Sequence, residues 1–365
     1  MFENIPKNWE KVALENLLEY EQPTNYIVAS EEYNDNYPTP VLTAGKSFIL
    51  GYTNETEGIY QNTPVIIFDD FTTESKFVDF EFKVKSSAMK ILKAKDNDTL
   101  KYLYYLMQIL PFNNTQHKRY WISEYSKIKI GIPKDINEVK EIVKVLDAAS
   151  EIIRLRSACI ESAQSLIPAL FQEMFGDPIN NNKNLTKEKI GKIFTLTSGK
   201  FIPSKELDSN GQYPVYGGNG INGYHNDFLF EDSKICIGRV GVKCGCVHKT
   251  KPNSWITDNA LYINNYLIPI NETYLKEALT QINLNQYAKR AAQPVISQTT
   301  IYNQCILLPP IEQQELFAAK AQEIEEYIKT QQAELDNAKT MFQSLLHHSF
   351  TGELTRHKFG GDANG

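Results

Sequence analysis

The sequence lacks several features that define common functional classes. Its five cysteines are an odd and scattered set, and its 365 residues contain no stretch of 18 or more uncharged apolar residues. We therefore expect free thiols in a reducing cytoplasm, no secretory signal at Met1 and no membrane-spanning helix. The net charge of -6 is not that of a simple nucleic-acid-binding protein either.

Catalytic and cofactor motifs are also missing. The chain has no N-P-P-Y or D-P-P-Y methyltransferase motif and no Ser/His/Asp arrangement with a local signature. Residues 218–223 spell G-x-G-x-x-G, but no helix start follows them, so we interpret them as a flexible loop that touches a polar ligand such as DNA. Residues 44–47 resemble the end of a P-loop without its first glycine and predict a turn. We expect no catalytic residue, no bound metal and no cofactor on this chain.

One short pattern leaves a nuclease alternative open. Asp69 or Asp70, followed by Glu81 and Lys83, imitates the layout in which carboxylates hold Mg²⁺ and a lysine steadies the attacking water. The alternation around Lys83 also fits a half-exposed strand, and we favour that interpretation.

A second pattern concerns metal binding. Cys244, Cys246 and His248 alternate along the chain, with Cys236 nearby. Zinc sites favour wider cysteine spacing, so a packed strand with the three side chains on one face explains the pattern better.

What the sequence does contain is one pattern that occurs twice. Residues 37–42 and 51–52 correspond to residues 213–216 and 223–224, about 175 residues later, and 130–133 correspond to 306–309. A repeat of this length is too long for a solenoid and indicates two copies of one domain. Short predicted strands and one short helix in each copy indicate a mixed α/β fold.

Each copy ends in a long segment with apolar residues at alternating three- and four-residue steps. The first runs from Val139 to Met174, with Arg156 in one polar slot and a kink expected at Pro168. The second starts after Pro310 and ends near Phe350. At 1.5 Å per residue each helix would span roughly 50–60 Å, and we expect the two seams to bury each other. The seam positions chosen for helix pairing or partner docking are Leu146, Ile153, Ile160, Ile167, Ile324, Ile328, Leu335 and Phe342.

We therefore predict an α+β protein with a pseudo-two-fold internal repeat, in which two similar globular domains are separated by two long antiparallel coiled-coil helices. The expected boundaries are 1–137 for the first domain, 138–178 for the central helix, 179–310 for the second domain, 311–352 for the C-terminal helix and 353–365 for a tail.

Charge is distributed unevenly over these segments. Lysine and arginine minus aspartate and glutamate gives about -4 for 1–137, -3 for 138–178, +5 for 179–310 and -4 for the remainder. A local positive surface is what phosphate binding requires, so the second domain fits DNA better than the first. Cations beside aromatic or amide side chains suit phosphate contact, stacking and base recognition. Our DNA-binding candidates are Lys46, Tyr52, Lys76, Lys118, Arg119, Tyr120, Lys200, Asn219, Tyr224, His225, Arg239, Lys243, Lys289, Arg290 and Gln298.

Several segments, in their order and duplication, carry a resemblance to a known family. They are residues 5–14, 66–73, 170–177, 213–220, 308–314 and 350–354. Together they resemble the specificity subunit of type I restriction–modification systems over nearly the whole chain.

The resemblance implies two target-recognition domains, each of which reads one half of a bipartite, asymmetric double-stranded DNA site. It also implies a non-catalytic subunit whose helices set the domain spacing and dock two methyltransferase subunits, with restriction subunits in the full complex. S-adenosylmethionine, ATP and Mg²⁺ would belong to those partners. The specificity partner of a fused methyltransferase–nuclease remains an alternative within this class, an autonomous metal-dependent nuclease an alternative outside it.

Overall fold

The computed structural model describes residues 5–43, 47–113, 115, 118–289 and 294–359. The chain divides into two compact units: unit 1 is Met1–Arg156 with Glu334–Gly365, and unit 2 is Ser157–Ala333. Each unit combines helices with small, mostly antiparallel sheets, which confirms the predicted α+β class. Both division points fall inside long helices, so each of these helices contributes one part to each unit.

The strands of unit 1 form three sheets. In chain order they are β1 (Trp9–Ala13), β2 (Leu18–Glu21), β3 (Thr39–Leu42), β4 (Ile49–Thr53), β5 (Val65–Asp69), β6 (Ser75–Val78), β7 (Lys83–Val84), β8 (Met89–Ala94) and β9 (Lys129–Pro133). The sheet orders are β1-β9, β2-β8-β5-β6 and β4-β3-β7.

Unit 2 repeats this arrangement. Its strands are β10 (Lys187–Lys189), β11 (Phe194–Ser198), β12 (Tyr213–Gly217), β13 (Gly220–His225), β14 (Ile235–Gly238), β15 (Val247–Lys249), β16 (Trp255–Ile256), β17 (Ala260–Tyr266) and β18 (Cys305–Leu307). The sheet orders are β10-β18, β11-β17-β14-β15 and β13-β12-β16, which match those of unit 1 strand for strand. The predicted internal repeat is therefore confirmed.

Helices complete both units. The α-helices are α1 (Leu14–Leu17), α2 (Leu100–Met107), α3 (Ile136–Gln164), α4 (Leu166–Phe175), α5 (Glu272–Gln281), α6 (Gln298–Tyr302), α7 (Ile311–Phe350) and α8 (Arg356–Phe359). Short 3-10 turns cover Pro23–Tyr26, Asn97–Thr99, Tyr125–Lys127, Ile190–Lys192, Ser204–Glu206 and Leu284–Tyr287.

The two copies share a buried hydrogen bond that fixes the short helix of each unit. In unit 1, Tyr102 on α2 is fully buried and its hydroxyl donates to the Gly131 carbonyl at 2.8 Å. In unit 2, Tyr274 on α5 is also fully buried and donates to the Leu307 carbonyl at 2.8 Å. A buried phenol requires such a partner. The conserved geometry supports the sequence match between 130–133 and 306–309.

Within unit 1, the first part of α3 packs against the last part of α7. Leu146 and Leu346 are fully buried in one apolar cluster, with Phe342 partly buried against it. Glu138, near the start of α3, accepts a hydrogen bond from the Thr355 hydroxyl at 2.6 Å, just beyond the end of α7. The two segments are therefore antiparallel, as the stripe predicted.

Within unit 2, the remaining parts of the long helices also pair in antiparallel fashion. The rings of Phe171 on α4 and Phe317 on α7 lie 5.9 Å apart between centroids. The Cys159 sulfur lies 3.3 Å from the hydroxyl of Tyr327. Since the earlier residue of α3–α4 meets the later residue of α7, the chain directions are opposed.

The regular helix is broken three residues before Pro168, the residue at which we expected a kink. The helix is interrupted at Ser165, between α3 and α4. Pro168 has no N–H to donate to the carbonyl of Gln164, and its ring would clash with that carbonyl in a continuous helix. The Ala169 amide still reaches the Ser165 carbonyl at 3.2 Å, so helical bonding resumes at once.

The seam positions chosen from sequence are covered wholly or in part. Leu146, Ile160 and Leu335 are buried. The half-buried members are Ile153, Ile167, Ile324, Ile328 and Phe342. Of the two roles considered for Leu146, Ile160 and Leu335, burial fits helix pairing and contradicts partner docking, because buried side chains are not available to another protein.

Of the helices in the described ranges, none has the length and apolarity required to cross a membrane.

Candidate nucleic-acid interface

A tight hairpin in unit 2 explains the glycine-rich motif. Strands β12 and β13 pair up to Gly217 and Gly220, so residues 217–220 form the turn, which we call the hairpin tip. Gly220 has φ +93, a conformation that favours glycine. The motif thus joins two antiparallel strands and opens no helix, which agrees with our interpretation of it as a loop. Asn219 is exposed at this tip.

A second loop lies directly against the hairpin tip. Residues 239–246, which we call the finger, connect the antiparallel strands β14 and β15. A Cβ atom on Gly238, at the base of the finger, would lie 1.9 Å from the Gly218 carbonyl oxygen. Only glycine, which has no Cβ atom, permits this approach. Gly238 therefore allows the finger and the hairpin tip to pack against each other.

Backbone and side-chain hydrogen bonds hold the finger in one shape. The Cys244 amide donates to the Gly241 carbonyl at 2.9 Å, and the Gly245 amide donates to the Gly238 carbonyl at 2.7 Å. The side-chain amide of Asn285 donates to the carbonyls of Val242 at 3.0 Å and Cys244 at 2.7 Å.

A third segment borders the finger. Val295 pairs with both Val240 and Lys289 in isolated antiparallel bridges, and the Gly241 amide donates to the Pro294 carbonyl at 2.9 Å. Lys289 is therefore placed next to the finger, although it is some 50 residues away in sequence.

These loops present unopposed positive charge. Lys243 and Lys289 are exposed and Arg239 is half-buried. Within the ranges that the structure describes, none of the three forms an ion pair. A cation without a carboxylate partner keeps its full charge for an anionic ligand, and three such cations on adjoining loops suit a phosphate backbone. Arg290, predicted to join them, lies outside the described residues.

Lys200, His225 and Trp255 form a second polar and aromatic group in unit 2. The Lys200 ammonium lies 5.8 Å from the Trp255 ring centroid, and the Trp255 ring nitrogen donates to the Lys200 carbonyl at 2.8 Å. The His225 ring lies 5.4 Å from that of Trp255. Tyr224, beside His225 on β13, is 37% exposed and presents part of its ring to solvent.

Gln298 differs from the other candidates because its side chain is already engaged. Its amide donates to the Leu196 carbonyl at 3.1 Å, and the residue is half-buried. This bond ties α6 to β11, which is a structural role.

The unit 1 candidates lie in less basic surroundings. Lys76 and Arg119 are exposed, Tyr52 is half-buried on β4, and Lys118 forms an ion pair with Glu124. Lys46 lies outside the described residues.

Tyr120 requires a correction. It is 1% exposed and its ring packs 5.0 Å from that of Phe112 in the core of unit 1. No face of the ring is open to a base, so the stacking role predicted for Tyr120 is wrong. A pattern of cations beside an aromatic residue does not reveal that the aromatic ring faces inward.

In the sequence, an Ile-Ser step follows a pair of cations in both copies, at Ile122 and at Ile296, and this pattern predicts that the two isoleucines correspond. The structure shows that this alignment is wrong. The Tyr120 amide donates to the Asp70 carbonyl at 2.9 Å, and the Ile296 amide donates to the Arg239 carbonyl at the same distance. Tyr120 is thus the structural counterpart of Ile296. Burial agrees, because Ile296 is fully buried whereas Ile122 is 55% exposed.

The same comparison shows why unit 1 is less basic at this place. Asp70 and Arg239 each follow the last paired residue of their strand, where their amides bond to Ala88 and Asn259. Asp70 is 2% exposed and pairs with buried Lys90 at 3.2 Å. One backbone position therefore carries a half-exposed cation in unit 2 and a buried anion in unit 1.

The nuclease layout is not assembled in unit 1. Asp69 accepts hydrogen bonds from the amides of Phe71 and Thr72, at 2.8 and 3.2 Å, and so caps a turn. Lys83 is buried and pairs with Glu55 at 2.8 Å. Both groups stabilise loops, and nothing in their contacts favours metal-dependent cleavage.

The cysteine-rich run of unit 2 is only partly a strand. β15 begins at Val247, so Cys244 and Cys246 precede it, and the expectation that they share a strand face with His248 is wrong. Burial raises the pKa of Cys236 to about 12 and also raises that of Cys244. Burial and the nearby Lys276 lower the pKa of His248. Among the described residues, no three His, Cys, Asp or Glu side chains are placed to hold a metal ion.

Two residues of this surface escaped sequence reasoning. Val242 and Asn285 belong to no motif, and Asn285 comes next to Val242 only in the fold. The spacing of Gly238, Gly241 and Gly245 was the available signal for a tight loop.

Comparisons with known proteins agree with the duplicated fold. The profile described as type I restriction modification DNA specificity domain matches residues 6–163 and again 182–339. The EcoR124I/EcoR124II specificity subunit of Escherichia coli is 53% identical over 159 residues, which is 40% of this chain and 39% of that protein. The MjaVIII specificity subunit of Methanocaldococcus jannaschii is 22% identical over 404 residues, 96% of this chain and 94% of that protein. The chain thus matches about two fifths of the first relative's length and nearly all of the second's.

Solved structures show the same fold. The S subunit of a type I restriction-modification system from M. genitalium superposes with a TM-score of 0.59 at 16% identity, covering 95% of this chain and 97% of that one. A chain from a study of the assembly and conformational transition of the type I R-M system gives 0.55 at 14% identity, covering 96% and 99%. Because the two matched segments cover most of the sequence, this chain belongs to the family of type I restriction modification DNA specificity domains and carries two copies of that domain.

Proposed function

We propose that this chain is the sequence-specific DNA-binding subunit of a type I restriction–modification complex. Residues 1–137 and 179–310 are its target-recognition domains, and each reads one half of a bipartite site. The proposal rests on the second copy of the family domain. In this copy Arg239, Lys243 and Lys289 lie on adjoining loops and have no carboxylate partner among the described residues.

The roles of these cations follow from their positions. Arg239 is half-buried at the base of a braced loop, and a guanidinium held in this way suits the paired acceptors of a guanine edge. Lys243 and Lys289 are exposed at the rim and suit phosphate oxygens, which position a protein without selecting sequence. Asn219, Lys200, His225 and Tyr224 add polar and stacking contacts.

Unit 1 reads its half-site with a different set of side chains. Among its candidate residues the exposed cations are Lys76 and Arg119, and Asp70 occupies the place of Arg239. The two half-sites therefore differ and the full target is asymmetric. Positive surface from partner subunits compensates for the acidic balance of unit 1.

The long helices dock the partners and set the distance between the half-sites. Exposed apolar side chains remain on them after the seam is formed, which is the property expected of a docking surface. They are Ile152, Leu155, Leu166, Leu316, Tyr327 and Met341. Two methyltransferase subunits dock there, and restriction subunits join them in the cytoplasm. S-adenosylmethionine, ATP and Mg²⁺ are held by those subunits, and this chain contributes no catalytic residue.

The test is to express the chain with its methyltransferase in a host that lacks adenine methylation and to map methylated adenines by single-molecule sequencing. One asymmetric bipartite motif is expected. Exchange of residues 179–310 for those of a relative should change one half of the motif and preserve the other. A host genome without any motif, despite a stable complex, would reject the proposal.

A further inference from the structure

The tip of the finger carries an apolar side chain that no part of the described structure covers. Val242 is 84% exposed, the highest value among the large apolar residues that the structure describes. Isolated exposed apolar residues are common on protein surfaces, but this one lies at the tip of a loop that several hydrogen bonds hold.

The bracing of the finger is what makes Val242 informative. Asn285 binds the carbonyl of Val242 itself, and the neighbouring Cys244 side chain is buried. The loop therefore cannot turn Val242 inward without breaking these contacts. Holding an apolar group in water is unfavourable unless a ligand covers it.

The surroundings identify that ligand. Val242 stands between Arg239 and Lys243, with Lys289 on the next segment, so the surface attracts an anionic polymer. The finger connects β14 to β15, the edge strand of a four-stranded sheet, and the major groove of B-DNA is wide enough to admit the turn between two such strands. The apolar group that base edges present in this groove is the C5-methyl group of thymine.

We propose that Val242 is a specificity-determining residue of unit 2, which contacts the C5-methyl group of a thymine in the major groove. The inference rests on the proposed function and makes it more specific. Arg239 contacts a guanine edge nearby, and Lys243 contacts a phosphate. Asn285 is a positioning residue that holds the tip at the depth where the valine reaches the base. The corresponding turn of unit 1, residues 70–74, is closed by the buried Asp70 pair, so this contact belongs to one half-site only.

The experiment uses the complex of this chain with its methyltransferase and duplexes that carry the motif defined by methylome sequencing. Each thymine of the half-site read by unit 2 is replaced in turn by deoxyuridine, which removes only the methyl group. At one position the wild-type complex should bind about fourfold more weakly, the loss expected for one methyl group taken from an apolar contact. The Val242→Ala complex should bind the thymine duplex more weakly by a similar factor and should not distinguish uracil from thymine there.

The matched control is Ile221→Ala, another exposed β-branched residue of unit 2, which should retain the uracil effect. Because Val242 is so exposed, Val242→Ala should unfold at the wild-type temperature. The inference is overturned if no thymine of the half-site responds to uracil, or if wild type and Val242→Ala respond equally. A complex that binds none of the motif duplexes would instead reject the proposed function.

Discussion

Replacement of Lys90 by methionine would test how unit 1 supports its candidate DNA-binding segment. Asp70 is buried, and one carboxylate oxygen accepts from the amides of Tyr120 at 3.1 Å and Trp121 at 2.8 Å. The other oxygen lies 3.2 Å from the Lys90 ammonium. The pair therefore anchors the segment that follows Lys118 and Arg119. Without Lys90, a carboxylate remains buried with backbone amides as its only partners among these contacts.

The expected cost is large because both groups are shielded from water. The side chains of Lys90 and Asp70 are 1% and 2% exposed. Removal of one partner from a buried ion pair costs about 3–5 kcal/mol. For a unit of this size each kcal/mol lowers the midpoint of unfolding by about 2–4 °C, so unit 1 should melt about 6–20 °C earlier.

Tryptophan fluorescence during thermal or urea unfolding can follow this unit, because Trp9 and Trp121 are buried in it and only Trp255 lies in unit 2. The control is Lys85→Met, which removes a more exposed ion pair with Glu31 and should leave the unfolding midpoint close to that of wild type. Adding Asp70→Asn to Lys90→Met should recover much of the loss, since the amide oxygen still accepts the backbone bonds. If Lys90→Met unfolds like wild type, the reasoning about this pair is refuted.

Three further predictions concern DNA binding, helix length and acid stability. Lys243→Ala and Lys289→Ala should each lower the slope of log affinity against log salt by about 0.9 without changing the methylated motif; a changed motif would contradict a phosphate role. Insertion of one heptad in α3 and one in the facing part of α7 should lengthen the unread gap while preserving both half-sites in methylome sequencing, and an unchanged gap would contradict the spacer role. Hydrogen bonding from Lys83 lowers the pKa of Glu55 from 4.5, so this carboxylate stabilises unit 1 above that pH and loses the effect as the pH falls through its lowered value. Glu55→Gln should therefore destabilise unit 1 at pH 7 and have little effect in strong acid; an equal effect at both, measured by urea unfolding, would contradict the ion pair.

The repeat and the long helices were predictable because their signals are local. The 3.5-residue stripe predicted the helical segments, and the proline pair at Pro309 and Pro310 predicted where α7 begins, at Ile311. The burial of Tyr120 was not predictable from a local pattern. Its burial depends on a hydrogen bond to Asp70, 50 residues earlier, and on packing against Phe112. Likewise, Asn285 and Val242 meet only after the strands of unit 2 have paired, so no window of sequence contains both.

The comparison of Asp70 with Arg239 separates what the fold requires from what recognition requires. The two backbones make the same hydrogen bonds at this position, so the frame tolerates either charge. The side chain at this position then determines the character of the following loop. Asp70 forms a buried ion pair with Lys90, so the side chain that begins the loop points into unit 1. Arg239 begins the finger, whose exposed tip is held by Asn285. Because strand pairing determines the backbone path and leaves this side chain free, a duplicated domain can acquire two different recognition surfaces without losing its architecture. Two unlike surfaces on one frame are what an asymmetric DNA target demands.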